Sequence, residues 1–225
     1  MAQIFVSHSS KDRDLVNFFS NCKSSTKVRF IYEEFEKMVS GNISPAKIRG
    51  DIDQSNAVFM VPSLNVQNTQ HTRDWVLAEV GVANKKDIWV FERASELGQI
   101  SVVIPFVRHY VLYEPSDAWI PYIRSIVESY DNSHVLPTIA LCGGLGALTG
   151  KPNWVAAGLL VGVAAAMICT PRRPQGIQTI CANCKSSYNV HLPDQWVDFR
   201  CPICNAASHL EYKCKYNNVL QFATN

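Results

Sequence analysis

Five short apolar runs recur between residues 3 and 107: "QIFVS", "VRFIYE", "NAVFMVPS", "DIWVFE" and "SVVIPFV". Segments of helical pattern separate or follow them. "SKDRDLVNFFSNC" is a helix with Ser9 or Ser10 available as N-cap, and Pro45 suits the first turn of "PAKIRGDIDQS". "HTRDWVLAEVGVANKK" (71–86) is a third helix, with Thr72 placed to cap it, and "DAWIPYIRSIVESY" is a fourth. Strands that are apolar throughout must be covered on both faces. Alternation with helices supplies that cover in a parallel sheet. The expected fold class is α/β.

Composition divides the chain into three zones. Residues 1–134 mix apolar and charged side chains as a packed domain does. Residues 135–170 contain a single charged residue, Lys151. Residues 171–225 open on the basic, proline-containing "PRRPQG" and carry two closely spaced cysteine pairs. The net charge is +2 and the basic residues are scattered, so no electrostatic case for nucleic acid exists and none is expected as a partner. The start, "MAQIFVSHSSKD", lacks a basic stretch followed by an apolar core, so the first zone is expected in the cytosol.

In a doubly wound sheet, ligands bind beyond the carboxyl ends of the strands. The loops expected there are "SHSSKD" (7–12), "EEFEKMVSGNIS" (33–44) and "PSLNVQNTQHTRDW" (62–75). None carries the glycine pattern of a Rossmann loop or a P-loop, though all offer hydroxyls and amides able to bind a sugar or phosphate. On the third helix Thr72, Trp75 and Glu79 stand three and four residues apart, so they share one face. Trp75 could stack on a flat ring while Glu79 faces a ribose or a developing cation. Periodicity alone favours Glu79 as a solvated helix carboxylate. Ser7, His8 and Ser9 have neither a nucleophile elbow nor an evident acidic partner, which argues against a Ser/His pair.

"IFVSHSSKD", the loop ending in "SGNIS", "SNAVFMVPS" and the W-x3-E of "RDWVLAEVGVA" together resemble the Toll/interleukin-1 receptor (TIR) domain. The resemblance covers residues 1 to about 130 and is to its NAD-cleaving members, prokaryotic ones included. It implies a flavodoxin-like parallel sheet and cleavage of the nicotinamide–ribose bond of NAD+, by hydrolysis or cyclisation. Carried over, Glu79 becomes the catalytic carboxylate and Trp75 its partner near the ribose. Residues Ser7, His8, Ser9 and Ser10 would border the nicotinamide end. Ser40 and Gly41 would lie in the loop that governs assembly and access. The resemblance further implies self-association through TIR domains, and a role in prokaryotic antiviral defence or cell-suicide signalling. NAD+ is a substrate in this reading and not a cofactor.

Residues 135–148 and 154–169 are each shorter than the ~20 residues that a single spanning helix needs. Joined by the polar turn at Lys151, Pro152 and Asn153, they read as a short two-helix hairpin that spans the membrane or only enters it. Trp154 suits an interface, and the G-x3-G spacings at Gly146/Gly150 and Gly158/Gly162 permit close helix contact. Arg172 and Arg173 favour a cytosolic end, so both flanking domains would face the cytoplasm from a membrane anchor in contact with lipid. A buried hairpin of a soluble oligomer would share this composition.

"CANC" (181–184) and "CPIC" (201–204), separated by sixteen residues, have the spacing of a zinc ribbon. Cys181, Cys184, Cys201 and Cys204 would close a structural zinc site, with iron the rival metal. His191 and His209 would then be unneeded as ligands, and Cys214 free. A competing reading of the whole chain makes it a non-enzymatic TIR adaptor, or an effector that oligomerises and permeabilises the membrane.

Overall fold

The computed structural model describes residues 2–23, 26–34, 44–68, 78–79, 81–131, 173–193, 198–213 and 221–223. Strand β1 (Gln3–His8) leads to helix α1 (Arg13–Lys23), then β2 (Arg29–Glu34), α2 (Pro45–Gln54), β3 (Ala57–Met60) and the short α3 (Leu64–Asn68). After helical residues at 78–79 and 81–82 come β4 (Asp87–Arg93), β5 (His109–Tyr113) and α4 (Ile120–Glu128). The C-terminal part contributes β6 (Ile177–Ile180), β7 (Ser187–His191) and the short strands β8 (Asp198–Arg200) to β11 (Gln221–Ala223).

One sheet of seven strands organises the fold, in the order β2-β1-β3-β4-β5-β7-β6. All neighbours are parallel except β6, which runs antiparallel to β7. The first five strands follow the 2-1-3-4-5 order of flavodoxin-like sheets. The expected α/β class and parallel sheet are therefore present. β7 joins directly to β5, with His109 opposite Asn189 and Val111 opposite His191. The cysteine-bearing segment thus extends the same sheet that the first zone begins.

Alternation along each strand supplies two cores. One face gathers Phe5, Val58, Met60, Val90, Tyr110 and Leu112 beneath Ile48 and Ile52 of α2, Val66 of α3 and the cysteine segment. The other face packs Ile4, Phe59, Trp89, Phe91 and Tyr113 under Leu15, Phe18 and Phe19 of α1 and Ile123, Ile126 and Val127 of α4. Each fully buried aromatic or aliphatic side chain of this kind contributes about 1.5–3 kcal/mol through burial. Among the described residues no helix is long and apolar enough to cross a membrane. The segment 135–170 lies outside those residues.

Two local expectations need correction. "SVVIPFV" is not a strand. Pro105 has no N–H for a sheet ladder, Phe106 takes the left-handed φ of 62°, and the Ile104 N–H is given to the Pro202 carbonyl at 2.8 Å. The next strand is instead "HYVLY", buried at every position. Helix α1 also begins later than Ser9 or Ser10 would set it. The Asp12 carbonyl accepts from the N–H groups of Leu15 and Val16, so Asp12 stands at the cap position. Pro45 does open α2, capped by Ser44, whose hydroxyl accepts from Lys47 N–H at 3.2 Å.

Candidate functional site

Strand order reverses at β1: the chain passes to β2 on one side and then crosses to β3 on the other. A crevice at the carboxyl ends of β1 and β3 follows from that topology. Ser7 lies there, paired in register with Met60, the last residue of β3. The Ser7 hydroxyl donates to Oε2 of Glu79, a contact between residues 72 apart in sequence. Both side chains are buried, Glu79 at 3% exposure. A carboxylate that is buried and held by a hydroxyl is not the solvated helix charge that periodicity alone allowed.

His8 points away from this pair. Successive residues of a strand face opposite sides, and the His8 ring meets Tyr32 edge-on at 5.7 Å. Its Nδ1 lies 3.4 Å from the Val6 carbonyl oxygen. Ser9 is fully buried, and its hydroxyl accepts from Lys11 N–H at 3.3 Å. Ser10 is half-buried at the rim. Ser7 and Glu79 are thus brought together, while His8 serves the opposite core. Ser40, Gly41, Thr72 and Trp75 lie outside the described residues.

Three residues not singled out from the sequence complete this edge. The Asp12 carboxylate, 4% exposed, receives the Ser63 hydroxyl and the Asn65 amide, each at 2.6 Å. These bonds tie the loop after β1 to the loop after β3 across the crevice. Ser63 in turn accepts from Val66 N–H at 3.2 Å, starting α3. Glu96 fixes the same loop by accepting from Leu64 N–H at 3.1 Å, and Arg93 lies 3.6 Å from Glu96. The available signal was position: Asp12 and Ser63 fall in loops at the switch point, and Asn65 stands in the first turn of α3 beside them.

The four cysteines form a second centre. The Sγ atoms of Cys181, Cys184, Cys201 and Cys204 all lie within 4.8 Å of one another, with 3.6 Å between Cys181 and Cys204 and 3.8 Å between Cys184 and Cys201. Thiolates about 2.3 Å from a tetrahedral zinc stand about 3.8 Å apart, so the set fits that ion. The two loops have the same construction. Lys185 N–H returns to the Cys181 carbonyl and Asn205 N–H to the Cys201 carbonyl, and both residues take left-handed φ, 61° and 58°. The Asn183 amide donates to Cys204 Sγ at 3.4 Å. Four protein thiolates leave no open position, so a metal here is structural and supplies cohesion to the fold.

His191 and His209 take no part in that set. His209 pairs with Asp198 at 2.6 Å. His191 is buried on the opposite face of the sheet, between Tyr122 and His109. One arrangement of protons satisfies this chain: Tyr122 donates to His191 Nδ1, His191 Nε2 donates to His109 Nδ1 over 3.2 Å, and His109 Nε2 faces Asp87 at 3.6 Å. His109 also stacks on Trp89 at 3.8 Å between ring centroids. Burial holds both imidazoles neutral, His109 down to about 4 and His191 down to about 3. Gly176 is required beside them: its φ is +63°, and a Cβ there would come within 2.6 Å of the His191 ring.

No protein-family model, curated protein or solved structure matches the chain.

Proposed function

We propose that the chain cleaves the nicotinamide–ribose bond of NAD+ as a TIR-like enzyme, with Glu79 as the catalytic carboxylate. The observation that carries this reading is the buried Ser7–Glu79 contact at the β1/β3 switch point. Glu79 of the W-x3-E motif and Ser7 of the first-strand loop are distant in sequence, and their side chains meet at the carboxyl end of β1, on the side where such sheets bind ligands.

The chemistry needs few groups. Nicotinamide leaves as a neutral molecule with the electron pair of the broken C–N bond, so no acid has to protonate it. The barrier is formation of an oxocarbenium-like ribosyl cation, as in glycoside hydrolysis. A carboxylate fixed in a low-dielectric site stabilises that cation electrostatically. Ser7, by donating to Oε2, holds the carboxylate in position before substrate arrives. Water then adds to the sugar and releases a proton, giving ADP-ribose; capture by an adenine nitrogen gives a cyclic product instead. The apolar segment 135–170 anchors the enzyme to a membrane in this reading, with both flanking parts in the cytoplasm.

Nicotinamide release from NAD+ by the purified full chain tests the assignment. Loss of a preorganised electrostatic group costs about 100-fold or more in rate. Glu79→Gln and Glu79→Ala are therefore each expected to fall by that factor, and Ser7→Ala by less. Release undiminished in both Glu79 variants sinks the role of Glu79. No release by the wild type at any protein concentration favours the adaptor. Vesicle leakage with NAD+ intact favours the membrane effector.

A further inference from the structure

The amino edge of the sheet, opposite the Ser7–Glu79 site, carries an open cleft of about 750 Å³. It lies where β3, β4 and β5 begin, beside β7. Residues preceding those strands line it: Asn56 before β3, Lys85 and Lys86 before β4, and Arg108 before β5. Arg173 closes one side. Among the described residues Asp87 is the one carboxylate in the wall, against four cationic side chains.

That carboxylate is already engaged. Asp87 accepts from the Tyr130 hydroxyl at 2.6 Å and from the Arg173 guanidinium, and faces His109. It offsets Arg173 and leaves Lys85, Lys86 and Arg108 uncompensated. Among the described residues neither Lys85 nor Arg108 has a carboxylate within ion-pair distance. Lys86 is held in place by donating to the Asp53 carbonyl at 2.6 Å. The excess of positive charge in this one cleft exceeds the +2 of the entire chain. Gln178 and Asn189 add neutral side-chain amides to the same wall. The volume falls within the range of small-molecule sites.

We propose that this cleft binds a phosphate-bearing ligand, with Arg108 and Lys85 as its principal charge contacts. Guanidinium and ammonium groups donate charge-assisted hydrogen bonds to phosphate oxygens, and the side-chain amides supply neutral donors around them. The site is separate from the proposed NAD+ chemistry, since it sits at the opposite ends of the strands. A phosphate monoester could arrive free in solution or as the headgroup of an anionic lipid.

The test uses the full chain and one monoester in two forms: glycerol 3-phosphate in solution, and phosphatidic acid in phosphatidylcholine vesicles, with pure phosphatidylcholine vesicles as baseline. Calorimetry reads the first and vesicle flotation the second. The double variant Lys85→Glu/Arg108→Glu changes two exposed side chains, and far-ultraviolet circular dichroism with metal content checks that it folds. Lys47→Glu repeats a charge reversal on α2, away from the cleft. A saturable affinity for glycerol 3-phosphate that falls at least about tenfold in the double variant, and not in Lys47→Glu, supports a free ligand. The same loss confined to phosphatidic acid vesicles supports a lipid headgroup. Equal binding by wild type and double variant in both forms overturns the proposal, as does an equal loss in Lys47→Glu. None of these outcomes depends on nicotinamide release.

Discussion

Glu92, at the carboxyl end of β4, is 6% exposed and lies under the cysteine segment. Tyr110 donates to its Oε2 at 2.9 Å, while Oε1 has no hydrogen-bond partner among the described residues. Burial pushes its carboxyl up to about 7 from an ordinary 4.5, with the Tyr110 hydrogen bond and then Arg200 only partly opposing. An acid whose folded pKa is raised binds its proton more tightly folded than unfolded. The contribution of Glu92 to stability is therefore most favourable below about pH 4.5, falls as pH rises towards 7, and stays lower above it, by on the order of 3 kcal/mol. The neutral histidines act in the opposite sense, costing stability as pH falls below 6.5. Comparing Glu92→Gln with wild type isolates the carboxylate. The variant is expected to gain urea resistance relative to wild type between pH 5 and pH 8, and parallel profiles across that range refute the shift. Sequence pattern could not mark this residue, because "DIWVFE" reads the same whether its last carboxylate is solvated or covered. Glu79 differs in that a motif names it. Asp12, Ser63 and Asn65 were visible only as polar loop residues, since a hydrogen bond across a crevice leaves no periodic trace.

At the scale of elements, the apolar strands β1 to β4 were legible because both faces are covered and few polar positions interrupt them. "SVVIPFV" has the same composition but fails as a strand, and its backbone bonds go to the second cysteine loop instead. β6 and β7 were not expected in the sheet at all. "IQTI" and "SYNVH" are too short and too polar to announce a pairing with β5 that joins residues about 80 apart. With this pairing, a metal held by the four cysteines would support more than its own loops. Cys181 directly follows β6, Cys184 lies three residues before β7, and Cys201 directly follows β8. The full chain is expected to hold a single zinc ion. Its removal by chelation should speed amide exchange at least about tenfold in β6 and β7 while β1 and β3 stay protected. Unchanged protection at 177–180 and 187–191 after complete metal loss would show that the sheet edge stands without it.

The whole molecule returns to itself on either side of residues 132–172. Arg173 Nε donates to the Ser129 hydroxyl at 3.2 Å, and its guanidinium lies over Tyr130 at 4.4 Å. Asp131 accepts from Lys27 N–H at 3.0 Å, so the chain leaves and re-enters one packed body. The first and third of the zones that composition separates are therefore continuous in the sheet, which no reading of charge or hydropathy could reveal. This geometry also makes the apolar segment removable. Deleting 135–170 leaves residues 132–134 and 171–172 to bridge Asp131 and Arg173, and five residues reach about 17 Å when extended. If the segment concentrates chains in a membrane, it raises their effective concentration towards the millimolar range without any new contact between them. In the proposed reading, TIR domains associate to complete the site. Nicotinamide release by the deleted chain should then fall at least about tenfold below that of the vesicle-bound full chain at equal, submicromolar concentration. It should recover as the deleted chain is concentrated. Equal activity of the two chains when dilute would mean that tethering contributes nothing. Activity that stays low at every concentration, with metal content and urea resistance intact, would mean that the segment supports catalysis by some route other than proximity.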